Sequence, residues 1–217
     1  MDKLTQDFAN SLIASAEDGI KDCLEIGIDS FIEDGILKEI PIVSTIVSGL
    51  KFAKNIYDRN LLKQTLSFIN ELNNGTLSEE ELIVYQSIIL NNPKKCEEEL
   101  GRVLIYLNNF LDKEKSEMLA KLYKAYISKI ISWNQFCEYA EIINRIFLQD
   151  ITILKELYED KYKNIEEIKE RYRLDRLTSL GLIKFGSKSR IENSTLIIDD
   201  NIIDKTNLGG KIYNIIK

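Results

Sequence analysis

Apolar positions return at steps of three and four residues along most of this chain, and the longest such stretch covers residues 40–72. There Val43, Ile46, Val47, Leu50, Ala53, Tyr57 and Leu61 fall on one side of a 3.6-residue helix. Pro41 suits the first turn, where its missing N–H costs nothing. No charge precedes Lys51 in the stretch, whereas Lys51, Asp58, Arg59 and Lys63 mark a solvated face further on. The pattern therefore predicts a central helix that starts in the core and emerges at the surface. Thr45, Gly49 and Ala53 lie four residues apart, a row of small side chains that lets another helix approach closely. The 11 uncharged residues 40–50 make roughly 16 Å of helix against a hydrocarbon core of about 30 Å, so they cannot span a membrane. Insertion into one side of a bilayer is the alternative that this stretch leaves open.

The flanking segments carry helical spacing too. Residues 4–37 set Phe8, Leu12, Ile13, Ala16, Ile20, Leu24, Ile28, Phe31 and Ile32 against acids, broken at Gly19, Gly27 and Gly35, and read as one broken helix or two short ones. Asn73-Asn74-Gly75 is a helix stop, because Asn and Gly accept the left-handed conformation. Ser78 and Glu81 form a capping-box pattern for a helix over 79–91. Asn92-Pro93 ends it and caps the next, which should reach Leu111 through Leu100, Val103, Leu104 and Leu107. A further helix over 113–131 turns Met118, Leu119, Leu122, Tyr126 and Ile130 inward, and Ser132 with Gln135 caps another that carries Phe136, Ala140, Ile143 and Phe147 towards Asp150. The result is an array of helices joined by short loops, placed at 1–149.

Near residue 160 the texture changes. A charged amphipathic helix over 165–180 leads through Gly181-Leu182-Ile183 into a basic turn, two apolar runs and a short terminal helix from about Asn207. The fold expectation is thus mainly α, with a small α+β module at 150–217.

Composition narrows the function more than it defines it. The net charge is −6, with a pI near 5.0, which speaks against a protein that coats nucleic acid non-specifically. The charge is uneven: residues 1–150 carry 16 basic and 24 acidic side chains, and 151–217 carry 13 and 11. Cys23, Cys96 and Cys137 have no paired spacing, so they fit small core residues in a reducing cytoplasm, and the acidic N-terminal stretch lacks a secretory pattern. Histidine is absent, which removes the usual nucleophile pairs, most zinc sites and the commonest general base. No Gly-rich loop follows a strand. No enzyme activity, cofactor or metal is expected. The triplets Glu79-Glu80-Glu81 and Glu97-Glu98-Glu99 read as first-turn carboxylates that complement a helix dipole rather than as cation ligands.

Two groups of residues remain as candidates for contact. Tyr123, Tyr126, Trp133, Phe136 and Tyr139 cluster at helical spacing, which favours core packing, with Trp133 as the candidate exposed anchor for a partner. Lys169, Arg171, Arg173, Arg176, Lys188 and Arg190 lie on or beside the 165–180 helix and the basic turn, as a groove-binding module requires. Glu166, Glu167, Glu170 and Asp175 share that helix and offset most of its field, which favours protein contact over DNA.

The run Leu177-x-x-Leu180-Gly181-Leu182-Ile183, the basic turn and Thr206-x-x-Gly209 before a terminal helix resemble the second half of a winged helix-turn-helix domain. That resemblance implies a recognition-type helix at 168–180, a wing within 184–198 and an upstream helix at 151–162. With residues 34–69, Leu100-Gly101-Arg102-Val103 and Ser132-Trp133-x-x-Phe136-Cys137-Glu138, the whole chain also resembles small bacterial proteins akin in layout to the abortive-infection alpha type. This second resemblance implies a role in phage or mobile-element conflict. The expectation is a non-enzymatic cytoplasmic protein acting through a protein partner. A winged-helix DNA-binding regulator is the alternative, and a membrane-acting effector using 40–50 is the second; neither a membrane nor a small-molecule substrate is the expected partner.

Overall fold

The computed structural model describes residues 2–13, 20, 40–49, 56–75, 77–162, 167–192 and 195–217, with backbone alone at 48–49, 188–192 and 195–201. Among them are ten helices and one two-stranded antiparallel sheet near the C-terminus, so the chain is mainly helical. It divides into two compact units, 1–140 and 141–217. The division falls earlier than the 149/150 break read from the sequence.

The first unit contains α1 (Lys3–Ser11), α2 (Pro41–Gly49), α3 (Ile56–Asn73), α4 (Glu79–Leu90), α5 (Pro93–Asn109), α6 (Lys113–Ile127) and the start of α7 (Trp133–Arg145). Four rings from four helices form its spine. Phe8 of α1 meets Phe68 of α3, Phe68 meets Tyr123 of α6 edge-on, each at 5.7 Å, and Tyr123 meets Phe136 of α7 at 5.3 Å. All four are fully buried. Helix α1 also carries α2: Ser11 Oγ accepts the Ile42 N–H at 2.9 Å, which satisfies a donor that the start of a helix leaves free, and Thr45 donates to the Asp7 carboxylate.

The 40–72 stretch is thus seen as two helices, with residues 50–55, and the roles read for Leu50, Lys51 and Ala53, outside the described residues. Its buried weight also lies elsewhere than expected. In α2, Ile42, Val43 and Ile46 are buried and Val47 is half-buried, while Tyr57 at the start of α3 is 75% exposed. The densest burial comes at 64–69, polar residues included. The phase of α3 is set by Leu62, Leu66, Ile69 and Leu72, and buried Gln64 is bonded there, whereas the Thr65 and Ser67 hydroxyls are buried with no hydrogen-bond partner among the described residues. Gln64 donates to the Leu111 carbonyl at 3.1 Å and accepts from Ser116 Oγ at 2.6 Å, and Asn60 donates to the Phe110 carbonyl at 2.7 Å. A bonded buried amide avoids the roughly 1–3 kcal/mol that an unsatisfied one costs.

Helix ends follow the local chemistry. Ser78 and Glu81 close a capping box on α4, Asn92 caps α5 ahead of Pro93, and Ser132 exchanges bonds with Gln135 at the start of α7. Three residues read as inward-facing are exposed, because each lies past a helix end: Leu111, Ile130 and Phe147. The C-cap Phe110 is extended and buries its own ring, which leaves Leu111 outside. Lys129 takes the left-handed conformation that ends α6, so Ile131 is buried in place of Ile130.

The second unit holds the end of α7, then α8 (Leu148–Tyr158), α9 (Arg171–Ser179), β1 (Ile183–Glu192), β2 (Thr195–Lys205) and α10 (Asn207–Ile216). The 165–180 helix is shorter than expected. Residues 163–166 lie outside the description, Ile168 is buried in the approach, and the chain enters α9 through a non-helical Glu170. Gly181 at φ +71° ends α9 and returns the Leu182 N–H to the Leu177 carbonyl, burying Leu182 and Ile183 at the start of β1. The strands pair from Ile183↔Lys205 to Glu192↔Thr195, with an irregularity between Gly186 and Lys188. Thr206 caps α10 and also donates to the Gly181 carbonyl at 2.7 Å, which fixes the hairpin base to the helix. Gly209 must be glycine, since a Cβ there would strike the Leu182 carbonyl and the Tyr158 hydroxyl.

Candidate functional site

Asp150 sits in the first turn of α8, where a carboxylate complements the helix dipole, and it is fully buried. Arg176 of α9 meets it with two N–H donors, Nε at 2.7 Å and Nη2 at 2.5 Å. The same guanidinium lies 4.5 Å from the Phe147 ring and 4.9 Å from the Tyr172 ring, within reach of cation–π attraction to both. Phe147 and Tyr172 are 55% and 53% exposed. An arginine clamped to a buried acid thus stands between two aromatic rings that face water. The bond to Asp150 is the first cause that raises the Arg176 pKa, with burial acting against it.

The neighbouring basic residues extend this surface. Arg173 reaches its own cap, Glu170, at 2.9 Å, and Arg171 lies 5.9 Å from the ring of half-exposed Phe185 on β1. Lys169 is exposed in the approach to α9. Lys188 and Arg190 lie on β1, where the description stops at the backbone. The structure therefore brings Arg171, Arg173 and Arg176 onto one helix and holds two of them in ion pairs. Reading the sequence for basic residues misses Phe147, Asp150, Tyr172 and Phe185. One signal is there to be found: Asp150 interrupts an apolar row, with Ile146, Ile153, Leu154 and Leu157 around it, and an acid on a buried face needs a donor.

The first unit contains a second constellation. Glu99 lies in the second turn of α5 and is buried, not at a helix end. Its two oxygens accept from the Tyr85 and Tyr126 hydroxyls, each at 2.6 Å, while Tyr85 also bonds the Tyr123 hydroxyl and Lys95 lies 3.7 Å away. Burial is the main cause that raises the pKa of Tyr85, Tyr123 and Tyr126, so these phenols hold their protons. Above the network is an open cleft of about 550 Å³, walled by Val84, Ile88 and Ile127 and rimmed by Glu80, Lys95 and Lys129. Glu99 falls in the stripe Cys96, Leu100, Val103 and Leu107, which is how the sequence could have betrayed it.

Trp133 is not the exposed anchor expected of it. The indole is half-buried, stacked on Phe136 at 5.0 Å and packed against Tyr126 at 5.2 Å, because it opens α7 directly over the aromatic spine. Burial raises the Cys96 and Cys137 thiols above their ordinary pKa. Among the described residues, no group of three or more Cys, Asp or Glu is placed to hold a metal, and no helix is long and apolar enough to cross a membrane.

Comparison with known proteins returns no match: no family model, no curated protein and no solved structure matches this chain.

Proposed function

We propose that this protein acts through protein–protein contact, using the α9 surface of its second unit. The observation that carries this reading is the Asp150–Arg176 pair between exposed Phe147 and Tyr172. A phosphate would have to compete with Asp150 for Arg176 and with Glu170 for Arg173. Drawing Arg176 away would leave a buried carboxylate unpaired, which is strongly unfavourable. Exposed aromatic rings beside a braced arginine are instead the composition of protein-contact hot spots, where a rigid side chain loses little entropy on binding.

The order α8, α9, hairpin, α10 supports the winged-helix-like reading of 150–217, with α9 as the recognition-type helix and β1–β2 as the wing. In this proposal the wing helix is turned to a protein partner. The resemblance to abortive-infection alpha-type proteins extends the proposal to phage or mobile-element defence. The burial of Ile42, Val43 and Ile46 in α2 favours a core role for this stretch over membrane insertion.

The test is a phage challenge of cells expressing the wild-type chain, Phe147→Ser, Tyr172→Ser and the double variant. Expected is protection by the wild type that falls in the single variants and vanishes in the double, with melting midpoints close to wild type. Protection that survives the double variant would overturn the assignment of this surface, and a wild-type chain that never protects would overturn the defence role.

A further inference from the structure

Asn74-Gly75 is the one Asn-Gly pair in the chain, and it closes α3 at an exposed position with Gly75 at φ +102°. Cyclisation of an asparagine needs three things: a side chain free to move, a following residue without a Cβ in the way, and a following N–H that no acceptor holds. Other asparagines near the helix ends fail the last condition, apart from Asn207, which fails the second because Leu208 follows it. The N–H after Asn73 is bonded to the Asn70 and Glu71 carbonyls, and the one after Asn91 to Ile89. The one after Asn109 is bonded to Tyr106 and the one after Asn134 to Ser132 Oγ, while Asn92 precedes a proline. Among the described residues, the Gly75 N–H meets no acceptor.

A second feature acts on the same peptide bond. Lys124 of α6 is buried, and its ammonium donates to the Asn74 carbonyl oxygen at 2.5 Å while pairing with Glu71 at 2.9 Å. A charge-assisted bond to that oxygen draws electron density from the Asn74–Gly75 amide and stabilises the anion left when its nitrogen loses a proton. We infer that Asn74 is a self-modification site, converting to aspartate and isoaspartate with Lys124 assisting. The Gly75 nitrogen gives its proton to solvent base and bonds to Asn74 Cγ. The side-chain nitrogen leaves with a proton as ammonia, and a cyclic imide forms. Water then opens either imide carbonyl, giving aspartate at position 74 or its isoaspartyl isomer. No redox partner is needed.

The change has a structural consequence. A new carboxylate appears at the C-terminal end of α3, where the helix dipole disfavours it. In the isoaspartyl form the chain runs on through Cγ, so the backbone gains a methylene and the former main-chain carbonyl carbon becomes a free carboxylate beside Lys124. The site would act as an age-dependent remodelling of that junction.

The experiment incubates the full chain at neutral pH and follows residue 74 by peptide mass mapping and isoaspartyl methyl acceptance, beside a synthetic peptide of residues 71–77. Expected is conversion at Asn74 at least as fast as in the peptide, several-fold slower in Lys124→Gln and absent in Asn74→Gln. Lys124→Arg, which keeps the charge and the fold, should stay near the wild-type rate. Conversion slower than in the peptide would overturn the inference, as would an unchanged rate in a folded Lys124→Gln. If Lys124→Gln does not fold, a Lys124→Arg rate below the peptide's overturns it.

Discussion

Removing the Arg176 guanidinium tests how the α9 surface is built. Arg176→Ala takes both donors from Asp150, which is fully buried. Breaking a buried ion pair from one side costs about 3–5 kcal/mol, because the remaining charge is stranded. Arg176 is 37% exposed, so water can enter the vacated space, and the lower end, about 3 kcal/mol, is expected. That is a large part of the stability of a domain of this size. Replacing both partners, Asp150→Leu with Arg176→Leu, should recover most of the loss, since no buried charge remains. Urea unfolding followed by circular dichroism, with the slope held constant, reads both variants against the wild type. A loss below about 0.5 kcal/mol in Arg176→Ala would place it among ordinary surface changes and refute the reasoning, freeing Arg176 for a phosphate.

The core makes an equally direct prediction: Leu66→Ala should cost about 2–5 kcal/mol, whereas Ile56→Ala, on the exposed first turn of the same helix, should stay within about 0.5 kcal/mol. Tyr85→Phe keeps its shape yet leaves Glu99 and Tyr123 each short of a partner, and calorimetry should show a loss of about 1–3 kcal/mol. Burial raises the Glu117 carboxyl, so wild-type stability falls as pH rises from the ordinary Glu range through the raised native value, with the cost fully present above it. Glu117→Gln should therefore raise the melting midpoint at neutral pH and leave it unchanged in acid below the ordinary range. Cys96, buried and raised, should resist alkylation in the native chain and react at once in urea, as read by mass spectrometry.

Three of the helix starts can be read from short-range chemistry. Ser78 with Glu81, Asn92 before Pro93, and Ser132 with Gln135 each bind backbone groups within one turn, so local sequence suffices to place them. The same locality explains the failures. A helical period points Leu111, Ile130 and Phe147 inward only if it is extended through residues where the backbone leaves the helix. Burial in α3 escapes the pattern because Gln64 is polar in sequence and, of its partners, only Asn60 is local, while Leu111 and Ser116 lie far along the chain.

The candidate surface is legible as charge but not as chemistry. Acids near α9 suggest neutralisation, and Glu170 does hold Arg173, but the decisive acid, Asp150, comes from another helix. Glu99 reads as a helix-dipole partner because three adjacent glutamates hide which one faces inward. Only the three-dimensional meeting of α4, α5 and α6 puts Tyr85 and Tyr126 on its two oxygens.

In the proposed function the arginines of α9 serve the protein's own structure and a protein partner rather than phosphate. Fluorescence anisotropy of a labelled DNA duplex, titrated with the full chain across a salt series, separates the two. Expected are no saturable binding at low salt and no difference between wild type and Lys169→Gln with Arg171→Gln. Submicromolar binding that falls steeply with salt, and whose salt slope drops by about one for each of those two residues replaced, would contradict it.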